Sequence, residues 1–117
     1  MKILWQEKPE KQDYPAAESY LSLLFSRSEV LRLIGKLKDA YVISFKAKDI
    51  FRASGLSLMG VSNSHVKADR DKINAGKELS PLLLVRYKGR VIIADGYHRL
   101  CAVYSFDEDA EIPCKIV

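Results

Sequence analysis

The hydrophobic period of this chain changes several times, and each change marks an element. From Pro15 the apolar positions Ala17, Tyr20, Leu21 and Leu24 recur at intervals of three and four, the stripe of an amphipathic helix. Pro15 suits the first turn, and Asp13 is the expected cap. Val30, Leu31, Ile34 and Leu37 repeat the pattern in a second helix from Ser28 to Lys38, and the two read as a packed αα-hairpin. Tyr41-Val42-Ile43-Ser44-Phe45 breaks the helical period and predicts the first strand. Lys46 to Arg52 reads as a short helix stopped near Gly55. Residues 54–64 are rich in Ser and Gly yet apolar at Leu56, Leu58, Met59 and Val61, as in a loop that packs down. Ser64 then caps a mostly solvated helix that turns Val66, Ala68 or Ile73 inward and ends at Gly76.

Leu79-Ser80-Pro81 leads into a strand from Leu82 to Arg86, and Lys88-Gly89 makes a hairpin to Arg90-Val91-Ile92-Ile93-Ala94. That last run is β-branched and unbroken, as in a strand covered on both faces. Across Asp95-Gly96 the period switches again: Tyr97, Leu100, Cys101 and Tyr104 form the stripe of a helix that runs to Ser105. Asp107-Glu108-Asp109 is a solvated loop, and 112–117 is the last strand, with Pro113 near its start or on an edge. Residues 1–14 keep no period and read as an arm or a short leading strand. The expected fold class is therefore α/β (α+β), a small mixed β-sheet surrounded by helices. One domain spans residues 1–117, with a helical part over 1–39 and a core over 40–117.

Composition narrows the classes. With 117 residues, 48% hydrophobic and 29% charged, the chain has the balance of a soluble globular domain. No apolar run approaches the ~20 residues of a membrane span, and Met1 to Trp5 lacks the features of a signal peptide, so a cytoplasmic protein without a membrane partner is expected. Cys101 and Cys114 have no metal-ligand spacing and read as buried thiols. The net charge of +4 permits phosphate contact without demanding DNA.

The distinctive chemistry gathers where the last helix begins. The roughly 100° step per residue points Arg99 away from the Tyr97 stripe, beside Val103 and Phe106, on a side that is apolar too. A guanidinium there keeps its charge and must find an anion. The first turn also offers unpaired N–H groups and the positive end of the helix dipole. A phosphate would meet the amides of Gly96 to His98, a two-oxygen clamp from Arg99, and a further hydrogen bond from His98. Asp95 is the candidate to hold a divalent cation such as Mg²⁺ or to orient an attacking hydroxyl. Asp95 and His98 are thus the candidate catalytic residues, and Gly96, Tyr97, His98 and Arg99 the candidate binding residues. Lys46 and Lys48 oppose the dipole of their own short helix, so either an anion holds them or they belong to a solvated charge run. His65 is either a ligand contact or an exposed first-turn residue.

Gly96-Tyr97-His98-Arg99-Leu100-Cys101-Ala102 resembles the G-x-x-R-x-x-A phosphate-contacting motif of ParB nucleotide domains. Gly96 to Arg99 also resembles the G-C-H-R of sulfiredoxins, and Asp95 to Arg99 the D-G-H-H-R of free-serine kinases of the same superfamily. With Lys46 to Ile50 and Leu79 to Val85 upstream in the matching order, the likeness to the ParB/sulfiredoxin superfamily extends over residues 40–117. The resemblance implies that family's fold and a nucleotide ligand: CTP as in ParB domains, ATP as in sulfiredoxins, or ADP as in the serine kinases. Phosphoryl transfer or nucleotide hydrolysis is the implied chemistry. Sulfinic-acid reduction is not, because Tyr97 stands where sulfiredoxins carry their catalytic cysteine. The kinases' catalytic glutamate has no match at Glu18, Glu29 or Glu78.

Two other readings use the same residues. Asp95 caps the helix and Arg99 pairs with Asp95 or Asp49 in a buried bridge; or Lys46, Lys48, Arg52, Lys67 and Arg70 form the contact face of a nucleic-acid or protein interaction module. With mixed charge and no helix-turn-helix, DNA binding is expected to be weak and salt-sensitive.

Overall fold

Successive side chains of a strand point to opposite faces, and strand β2 (Leu82–Tyr87) uses this to join two cores. Leu82 and Leu84 enter one cluster with Ile93, Leu100, Ile112 and Cys114, while Leu83 and Val85 enter a second with Leu21, Val30, Ile34 and Leu37. The computed structural model describes residues 2–117. These form α1 (Asp13–Leu21), α2 (Arg27–Asp39), β1 (Ile43–Lys46), α3 (Ala47–Ser54), α4 (Ser64–Asn74), β2, β3 (Arg90–Asp95), α5 (Tyr97–Phe106) and β4 (Glu111–Ile116).

The sheet has the order β1-β4-β2-β3. β4 pairs antiparallel with β1 and parallel with β2, and β2 pairs antiparallel with β3. Helices α1 and α2 cover one face; α3, α4 and α5 cover the other. The mixed α/β fold with an open sheet is the one expected, and β3 is covered on both faces as its unbroken apolar run implied. The amino-terminal residues form the expected arm: Trp5 bridges Leu79, and Gln6 N donates to Leu79 O at 2.8 Å.

The element ends differ from the expectation where two residues compete for one role. Ser26, not Ser28, caps α2, its Oγ accepting from Glu29 N at 3.4 Å. Asn63, not Ser64, caps α4, its Oδ1 accepting from His65 N and Val66 N. In both cases the capping residue has the extended backbone that a cap requires. Asp13 belongs to α1 itself; its Oδ2 accepts from Glu10 N upstream of the helix. Helix α1 stops at Leu21, leaving Leu24 outside it, and the inward stripe of α2 uses Leu33 in place of Leu31, which is half exposed. Tyr41 lies outside β1 and is 89% exposed.

Candidate functional site

The site is assembled at the carboxyl end of β3. Leu83 pairs with Asp95 but Leu84 pairs with Ile93, so β3 carries one extra residue, Ala94, at a bulge just before the turn. Gly96 then adopts φ 107°, and a Cβ there would lie 2.6 Å from Leu82 Cγ and 2.9 Å from Arg99 Nη2. Only glycine reverses the chain so tightly against a fully buried leucine. Helix α5 starts at once, with Leu100, Cys101, Ala102 and Val103 all inaccessible to solvent, which is the two-sided burial anticipated for it.

The amino terminus of α5 has no side-chain cap. Its first turn faces a polar cleft of about 240 Å³ between α4 and α5, lined by His65, Asp69 and Lys72 on one side and Asp95 to Arg99 on the other. The rings of His65 and His98 stand 4.8 Å apart, tilted by 40°. Burial lowers the His98 pKa, helped by the neighbouring His65 and Arg99 charges and opposed by Asp69, so the ring is held towards its neutral form. Asp69 keeps its side chain 14% exposed. Burial raises its pKa against the pull of Lys72 and Arg99.

Arg99 is already engaged. Its Nη2 donates to Asp95 Oδ2 at 3.0 Å, both side chains being 17% exposed, so of the two structural pairings foreseen, Asp95 is the one made and Asp49 pairs elsewhere, with Arg52. Arg99 Nε is buried without an acceptor. Burial raises the Asp95 pKa, Arg99 opposes the rise, and the adjacent Asp13 carboxyl, brought in by α1, adds to it. Asp95 does not cap α5. Tyr97 donates its hydroxyl to Ser57 O and packs edge-on against Phe51, pinning the 54–64 loop beside the cleft.

Asp95, Gly96, Tyr97, His98 and Arg99 therefore stand together, and His65 joins them. Lys46 and Lys48 do not. Lys48 Nζ reaches Asp109 Oδ1 at 2.6 Å, and the backbone N–H groups of Ala47 and Lys48 donate to Ala110 and Glu108 at the other end of α5. A ten-residue helix is about 15 Å long, which removes both lysines from the cleft. Most of the alternative basic face is also committed internally: Lys67 pairs with Asp71, and Arg70 bonds Ser105 Oγ and stacks on Phe106. Among the described residues, no three His, Cys, Asp or Glu side chains are placed to hold a metal by themselves.

Asp69, Lys72 and Asp13 were not foreseen as site residues. The first two were legible: His65, Asp69 and Lys72 are spaced i, i+4, i+7, one polar face of α4. Asp13 left no such signal, because only the packing of α1 on the β3 edge brings it to Asp95. No protein-family model, no curated protein and no solved structure matches this chain.

Proposed function

We propose that the cleft between α4 and α5 binds the phosphate group of a nucleotide. The observation that carries this reading is the uncapped first turn of α5 opening on Lys72, His65 and His98. Free amides, the helix dipole and nearby cations all favour an anion at that point. Gly96 gives the phosphate close approach to the backbone. Lys72 and His98 donate to its oxygens, and Arg99, oriented by Asp95, supplies charge from below. The resemblance of Gly96 to Ala102 to the ParB nucleotide motif supports the same ligand class.

Asp95, whose carboxylate lines the cleft, suits a divalent cation such as Mg²⁺, which takes one or two carboxylates together with phosphate oxygens. Such a cation would neutralise the acids that otherwise repel phosphate. When bound, it would polarise a phosphoryl group for transfer or hydrolysis; without a cation on it, the Asp95 carboxylate would instead orient an attacking hydroxyl. A thermal-shift panel of ATP, ADP, CTP, GTP and inorganic phosphate, each with and without Mg²⁺, tests the reading. A ligand at a hundred times its Kd stabilises by about 2.7 kcal/mol, and the shift should vanish in Lys72→Ala with His98→Ala. If no nucleotide moves the melting temperature at millimolar concentration, the cleft is not a nucleotide site.

A further inference from the structure

A second cavity lies on the same face of the sheet, beneath α3 and towards the opposite end of β3 from Asp95. It has a volume of about 230 Å³. Its floor is Leu84 and Ile50, both buried, and its walls include Phe45, Val91 and Ile116. Helix α3 presents the small side chain of Ala53 to it, where a larger residue would fill the space. An apolar concavity of this kind binds an apolar group by taking both surfaces out of water.

Two charges stand in this apolar lining, Asp49 on α3 and Arg86 on β2. Among the described residues Arg86 makes no ion pair, and Asp49 is half exposed with only a 3.5 Å contact to Arg52. Arg86 follows Leu84 by two residues on β2, so it stands on the same face of the sheet as the cavity floor. An apolar chamber with one acid and one base that do not satisfy each other is complementary to a molecule with an apolar body, an ammonium and a carboxylate. We infer that this cavity is a binding site for a free α-amino acid with an apolar side chain, its carboxylate on Arg86, its ammonium on Asp49 and its side chain against Leu84, Ile50 and Phe45. Arg86 can meet both carboxylate oxygens at once. The inference is independent of the nucleotide reading, since the two sites share no residue.

The experiment is a ¹H–¹⁵N NMR titration of the full chain with leucine, phenylalanine, 4-methylpentanoate and 3-methylbutylamine. The amino acids should shift the amides of Phe45, Ala53, Val91 and Ile116 in a saturable way, leaving His98 and Arg99 unmoved. Each singly charged analogue should bind about tenfold more weakly or worse, because one charge-assisted contact is lost. Ala53→Leu, which fills the chamber, and Arg86→Gln, at an exposed position that leaves the core intact, should each abolish the shifts. Absence of shifts with either amino acid, equal binding of 4-methylpentanoate and leucine, or undiminished binding by folded Arg86→Gln would each overturn the assignment.

Discussion

Arg99 is the residue on which the cleft's electrostatics turn, because it holds a carboxylate that burial and Asp13 both push towards protonation. Truncating it leaves Asp95 beside Asp13 without a compensating charge. Removing one partner of a fully buried pair costs about 3 to 5 kcal/mol; with both side chains still 17% exposed, about 2 to 3 kcal/mol is expected for Arg99→Ala at neutral pH. The pH dependence has a definite sign. An acid whose folded pKa lies above its ordinary 3.8 contributes stability that is complete below that value and is lost as pH rises through the folded pKa. Without Arg99 the folded pKa of Asp95 rises further, so the variant's deficit should be small near pH 4 and widen towards pH 7. Urea melts of both proteins across that range measure it. A deficit that is constant with pH would mean that the guanidinium acts through packing rather than through Asp95. The charge of Arg99 and its two-sided apolar setting were readable from the sequence. Its partner was not settled there, because Asp95 lies outside the helix and the helical i, i+4 rule does not reach across a left-handed glycine.

The junction from β3 to α5 is the element-level device that makes the site, and its glycine can be compared with another in the same chain. Gly76 after α4 also has positive φ, at 71°, but a Cβ there would meet nothing within 4 Å. Gly76→Ala should therefore pay only for the left-handed backbone, about 1 to 2 kcal/mol. Gly96→Ala pays that and also drives a methyl into Leu82, which is fully buried; overpacking of this kind adds about 1 to 3 kcal/mol. Chemical denaturation of the two variants should thus rank Gly96→Ala well below Gly76→Ala, and equal losses would show that Leu82 yields freely. The strand-to-helix switch at Asp95-Gly96 was visible where an unbroken β-branched run gives way to a period of 3.6. The bulge at Ala94 was not, since a run of β-branched residues reads the same with or without one extra residue. Helix α4 was legible as a mostly solvated element with Val66 and Ile73 turned inward; what the pattern did not show is that its polar face, His65, Asp69 and Lys72, lines the cleft.

At the scale of the whole molecule, the sequence pattern suggests a core over 40–117 with two helices in front of it, yet the structure makes those helices one of three layers. The clue lay in β2 and β3, whose continuous apolar runs need cover on both faces. Leu83, Val85 and Ala94 face Leu21, Val30, Leu33, Ile34 and Leu37, and among the described residues the helices on that side are α1 and α2. Lys115 on β4 adds a polar tie, its Nζ donating to Lys38 O at 2.9 Å above the ring of Tyr14. A fragment of residues 40–117 would expose that entire sheet face, leave the Lys115 ammonium on an apolar surface without its carbonyl, and separate Asp95 from Asp13. Full burial of a Leu, Ile or Val side chain is worth about 1.5 to 3 kcal/mol, so losing several such contacts is comparable to the whole 5 to 15 kcal/mol that stabilises an ordinary domain. The fragment should therefore lack a cooperative thermal transition and bind a hydrophobic dye, whereas the full chain should unfold once, with Trp5 fluorescence on one face and far-ultraviolet helicity reporting the same midpoint. A fragment that melts sharply and gives dispersed NMR spectra would mean that the two cores are energetically separate, and that α1 and α2 are a cover added to a sheet already stable on its own.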